Sequence, residues 1–141
     1  MIYKDVYEVI DMSDNEIDKF ENFPTLHRLC TLYLHNNNVA KIEPTGTCLK
    51  ELKTLMLTNN KIQTLADVVG LAELGALEIL SLAGNPVAKQ AYYREYIIHI
   101  LPNLKVLDFK KVKQKERKAA NELFAGADGK KRLEGILSAK S

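Results

Sequence analysis

Four short blocks of this chain repeat one pattern: IDMSDNEI from Ile10, LYLHNNNV from Leu32, LMLTNNKI from Leu55 and LSLAGNPV from Leu80. Each reads apolar-x-apolar-x-x-Asn-x-apolar, and the shared asparagines, Asn15, Asn37, Asn60 and Asn85, stand 22, 23 and 25 residues apart. So short a period excludes most folds at once. A unit of about two dozen residues cannot bury its own apolar face, so it must stack on its neighbours and build a solenoid around one continuous core.

The order of residues within a block has a physical logic. Leu32 and Leu34 lie two apart and point to one face of a short strand, while Tyr33 points to the other. The chain must then bend with its amides still bonded. An asparagine at the bend can accept and donate hydrogen bonds to nearby backbone, which leucine or alanine cannot. Val39 and Ile42, or Ile62 and Leu65, refill the core on the return leg, and Leu104, Leu107 and Phe109 form a partial fifth copy without the asparagine. This is the leucine-rich-repeat signature. The expected fold is of the α/β class: a short solenoid with a concave parallel sheet of about five strands and a C-terminal helical cap. Repeats fall near 9–30, 31–53, 54–78 and 79–103, the cap spans 104–125, and 126–141 reads as a basic, mobile tail.

Local signals place the other elements. The first two repeats are too short for a convex helix and should return through extended or one-turn segments. Ala66–Leu74 suits a short helix with Asp67 as N-cap. AKQAYYREYIIHIL, after Asn85-Pro86, suits a longer helix ended by Pro102, with buried stripes through Tyr92, Tyr96 and Ile100 and through Tyr93, Ile97 and Leu101. Lys111–Phe124, free of proline and glycine, suits a cap helix with Val112, Ala119, Ala120, Leu123 and Phe124 inward; AGADG at 125–129 should end it.

Composition narrows function. A chain of 141 residues suits one domain, and 46% hydrophobic content supplies its core. No run approaches the roughly 18 apolar residues of a membrane span, and MIYKDVYEV lacks the features of a signal peptide. Cys30 and Cys48 are too few and too far apart for a zinc site or a CxxC pair, and read as reduced thiols of an intracellular protein. Catalysis has no support: His27, His35 and His99 are scattered, and no nucleophile or paired carboxylate stands at a useful spacing. GADGKK at 126–131 lacks the glycine spacing and hydroxyl residue of a phosphate loop. No metal, cofactor or small-molecule substrate is expected.

Surfaces therefore carry the function. Strand alternation puts Val9, Asp11, Ser13, Thr31, Tyr33, His35, Thr54, Met56, Thr58, Ile79, Ser81, Ala83, Val106 and Asp108 on the concave face, a mixture of apolar centres and polar edges suited to a protein partner. Tyr33 and Met56 are central. Charge points elsewhere: residues 110–141 hold ten bases against four acids, a net of +6, against −4 for 1–109. On the cap helix Lys111, Lys115 and Lys118 share a stripe with Lys113 and Arg117 beside it, suited to an anionic partner; no interleaved aromatic offers base stacking.

The blocks IDMSDNEI, FPTLHRL, LTNNKI, NPV, YYREYIIHILPNLKVLDFKKVKQKER and ELFAG, covering roughly Val9 to Gly126, resemble the A-prime-subunit family of the U2 small nuclear ribonucleoprotein. The resemblance implies a nuclear spliceosomal protein. Its partner would be an RNA-recognition-motif protein of the B-double-prime type, which lays a helix on the concave sheet, and the pair would hold a stem-loop of U2 small nuclear RNA. It also implies a further coil and an N-terminal cap upstream of Val9; either the chain is shortened there, its start is misassigned, or Ile2, Tyr3, Val6 and Tyr7 form a minimal cap. The alternative is a generic leucine-rich-repeat adaptor, such as a phosphatase regulatory subunit.

Overall fold

The computed structural model describes residues 7–138. Strands β1 (Val9–Asp11), β2 (Thr31–Tyr33), β3 (Thr54–Met56), β4 (Ile79–Ser81) and β5 (Val106–Leu107) pair in chain order, all parallel. Their middle residues Ile10, Leu32, Leu55 and Leu80 lie side by side in register and are buried. Leu34, Leu57 and Leu82 stack in a second buried row. Val39, Ile42, Ile62 and Leu65 close the core from the convex side, where Phe20 bridges to Ile42 in parallel. Each fully buried leucine contributes about 1.5–3 kcal/mol of transfer free energy, and the repeat supplies such residues at every coil.

The sheet has six strands, not five. β6 (Lys110–Lys111) returns antiparallel on β5, with Leu107 opposite Lys110, so Asp108 and Phe109 form a two-residue turn. Both sit at positive φ, 51° and 67°. Phe109, expected as an inward residue of the fifth copy, is 67% exposed because the chain has already reversed there.

Several helices differ from their expected bounds. Leu65–Glu73 is a 3-10 helix whose N-cap is Thr64; Asp67 lies three residues in and its carboxylate accepts the Thr64 N–H at 3.1 Å, the reciprocal half of a capping box. Gly70 seats this helix on the second coil: a Cβ there would clash with the Ile42 carbonyl oxygen. The long helix after Asn85 is divided. Pro86–Lys89 makes a 3-10 turn, the chain kinks at Tyr92 with φ of 65°, and α1 runs only from Tyr93 to Ile100. Tyr92 is consequently exposed rather than packed. The cap helix α2 spans Gln114–Leu123, because Lys110–Lys111 is taken up in β6; Ala119 is exposed and Ala120 buried.

The tail assignment also changes. Gly126, at φ of 71°, ends the α2 segment, but α3 (Gly126–Ser138) follows at once. Leu133, Ile136 and Leu137 pack against the core, and Arg132 donates to the Leu123 carbonyl at 2.6 Å. Gly129 permits the approach, since a Cβ would clash with the Phe124 backbone. Of the expected minimal cap, Ile2, Tyr3 and Val6 lie outside the described residues, and Tyr7 is 49% exposed.

Candidate functional site

The outward residues of the parallel strands make one curved surface. Asp11 and Ile79 are exposed on it; Ser13, Thr31, Tyr33, His35, Thr54, Met56 and Thr58 are half-buried. The strands place Tyr33 beside Met56 and Thr31 beside Thr54. Tyr33 and His35 contact edge to face with centroids 5.8 Å apart. The Ser13 N–H, donating to Asp11 Oδ1 at 2.9 Å, holds the Asp11 carboxyl below its ordinary range, and His35 acts in the same direction.

Two expected contact residues leave this surface. Ser81 is buried, its hydroxyl 2.7 Å from that of Thr58. Asp108 is consumed internally: Oδ1 accepts the Leu82 N–H and Oδ2 the Tyr93 hydroxyl, each at 2.7 Å. In earlier coils the equivalent amides bond to a carbonyl of the next strand, as Leu57 N–H does to Ser81 at 2.9 Å. Where the chain reverses, the Asp108 carboxylate takes that carbonyl's place. Burial, reinforced by this carboxylate, pushes the Tyr93 phenol far above its ordinary range.

The repeat asparagines stitch coils together. Asn60 Nδ2 donates to Leu34 O at 3.0 Å and Leu57 O at 2.9 Å, and its Oδ1 accepts the Val39 N–H at 3.0 Å. Asn85 repeats this with Leu57 O, Leu82 O and the Ile62 N–H, and Asn37 with Met12 O, Leu34 O and the Ile17 N–H. Each side chain therefore serves the preceding coil. Asn15 is exposed, and its bonds among the described residues go to Met12 and Ser13 of its own coil. The bend itself belongs to the residue before each asparagine: Asp14, Asn36, Asn59 and Gly84 all have φ between 57° and 79°. Those are the residue types that tolerate a left-handed conformation.

The cap divides the basic residues. Arg117 is half-buried with its guanidinium turned onto backbone: it donates to the carbonyls of Ile98 at 3.0 Å and Leu101 at 3.1 Å, and to that of Leu104. It thereby bonds backbone carbonyls at and just beyond the end of α1, so its guanidinium is engaged within the protein. Arg94 is likewise engaged, bonding Leu107 O at 3.1 Å and gripping both Glu116 oxygens. That grip holds the Glu116 carboxyl below its ordinary value. Lys111, Lys113 and Lys115 come together with Lys110 along a groove of about 780 Å³ floored by Arg94, Glu116 and Ala119. Lys118 lines a different groove, with Gln114, Asn121 and Ala125. The sequence pattern does not reveal Lys110 and Phe109, because it counts both into a strand that in fact reverses at Asp108. Among the described residues no cluster could hold a metal ion, and no helix is long and apolar enough to cross a membrane.

Comparison with known proteins identifies this architecture. A family profile described as leucine-rich repeat matches residues 2–137. A chain in the crystal structure of the Drosophila melanogaster SNF/U2A′ complex superimposes with a TM-score of 0.87 at 41% identity, covering 94% of this chain and 76% of that one. The chain belongs to the leucine-rich-repeat family of U2 small nuclear ribonucleoprotein A′ proteins. The Caenorhabditis elegans protein described as a probable U2A′ is 47% identical over 136 residues, which are 96% of this chain and 54% of that protein. Human U2A′ is 45% identical over 126 residues, 89% of this chain and 49% of that protein. This U2A′-family chain thus spans about half the length of the curated relatives it matches.

Proposed function

We propose that the chain is a non-catalytic scaffold of the U2 small nuclear ribonucleoprotein in the nucleus. Its concave sheet receives a helix of an RNA-recognition-motif protein of the B-double-prime type. The pair supports a U2 small nuclear RNA stem-loop during pre-mRNA splicing. The observation that carries this reading is the match to a chain of the SNF/U2A′ complex over nearly the whole of the present chain. The surface is the right size. Six strands spaced about 4.8 Å apart make a floor of roughly 24 Å, and a helix of about twelve residues is near 18 Å long and 10–12 Å wide.

Tyr33 and Met56, adjacent in register on β2 and β3, are the anchors. Truncating such a buried contact commonly costs about 2 kcal/mol or more. The Tyr33→Ala, Met56→Ala double variant should melt near the wild-type temperature and bind the RNA-recognition-motif protein at least about tenfold more weakly. A folded double variant with unchanged affinity sinks the concave assignment. Co-purification of a phosphatase catalytic subunit in place of that protein would favour the generic adaptor.

A further inference from the structure

We propose that Phe109 and the lysines following it form a stacking site for an unpaired RNA base, an inference that rests on the RNA role proposed above. Phe109 is the most exposed of the large hydrophobic residues described, at 67%, and it also holds φ at 67°. Two-residue hairpin turns with positive φ at both positions favour Asn-Gly, and a bulky residue in the second position is an outlier. Asp108, its partner in the turn, recovers the cost of its own conformation through bonds to Leu82 and Tyr93. Phe109, two-thirds exposed, recovers little by packing: glycine would make the turn more easily, and a polar residue would suit the solvent better. Strain kept where packing gives little return points to a function for the side chain.

The residues that follow it in the chain indicate the ligand. Lys110, Lys111, Lys113 and Lys115 line one groove, and the nearest carboxylate there, Glu116, is already occupied by Arg94. An exposed aromatic face followed by ammonium groups is the combination that binds single-stranded nucleic acid: the ring takes the base and the lysines take the flanking phosphates. An apolar helix from a protein partner would gain nothing from the four lysines that follow the ring.

The test titrates the chain at low salt with a short single-stranded oligouridylate carrying one 2-aminopurine, whose fluorescence falls on stacking. Phe109→Gly should melt at or above the wild-type temperature, because glycine adopts this φ freely. It should bind about 5- to 150-fold more weakly, the range for removing one stacked base, with an unchanged salt slope and no quenching. Phe109→Trp should restore affinity and quenching. If Phe109→Gly binds like wild type while the Lys111→Gln, Lys113→Gln, Lys115→Gln variant binds more weakly, phosphates are held without stacking; the inference falls and the RNA role stands. If neither variant differs from wild type, or wild type alone binds no RNA, the stacking site falls; the RNA role of the pair falls only if the ternary complex with the RNA-recognition-motif protein also shows no dependence on these residues. A Phe109→Gly protein that keeps RNA affinity but loses the RNA-recognition-motif partner makes Phe109 a protein contact and overturns the stacking site.

Discussion

At the residue scale the solenoid depends on an amide side chain that completes backbone bonding between coils. Asn60→Ala would leave the Val39 N–H and the Leu34 and Leu57 carbonyls short of a partner in a buried setting. Each group so stranded costs about 1–3 kcal/mol. The expected outcome is a clear fall in melting temperature, with any loss of partner or RNA binding tracking unfolding; native melting with no binding would make Asn60 a contact residue instead. Asn15→Ala should change melting far less, since its bonds stay within one exposed bend. The identical letters in the repeat announced all four asparagines equally. What separates Asn15 from Asn60 is that the Asn60 bonds reach Leu34 and Val39 of the preceding coil, whereas those of Asn15 among the described residues stay within its own.

At the scale of elements, the C-terminal cap is held by two arginines rather than by hydrophobic stripes alone. Arg117 ties α2 to the end of α1, and Arg94 ties α1 to Glu116 of α2 and to the last parallel strand. Glu116 gives this clasp a pH dependence. Its carboxyl titrates below the ordinary value of 4.5, chiefly because Arg94 donates to its charged form. A carboxyl with a depressed folded-state pKa contributes stability that is present above its unfolded pKa and is lost as pH falls through the folded one. The melting-temperature gap between wild type and Glu116→Gln should therefore be full at neutral pH and close on acidification below 4.5. A gap independent of pH would show that the clasp is not ionic. Periodicity in the sequence revealed that helices lie here but missed where they begin. Tyr92 and Gly126 both take left-handed φ, and neither the aromatic run nor the AGADG segment signals whether a chain stops or turns and resumes at such a residue.

At the scale of the molecule, charge separates from shape: the concave sheet is mixed and half-buried, and the lysines gather at the cap. In a ternary complex with the RNA-recognition-motif protein and RNA, neutralising Lys111, Lys113 and Lys115 together should flatten the log-affinity versus log-salt slope. The change should be roughly 0.7–0.9 for each phosphate that the lysines had neutralised. Preference among RNA sequences should hardly change, since phosphate contacts carry no base information. A wild-type salt slope in that variant would return the lysines to solvent. The solenoid, its coil spacing, the inward leucines and most of the outward strand residues were legible in the residue pattern, because a repeat writes the same physical requirement into each coil. After β5 the chain reverses into β6, so no further parallel strand imposes that requirement there. Only the tertiary structure decided that Asp108 would bond inward, that Phe109 would turn out to solvent, that Arg117 would serve the end of α1 and that α3 would pack on the fold. Each of these depends on which open backbone groups and apolar surfaces the final coil leaves, and those are set by packing between segments far apart in sequence.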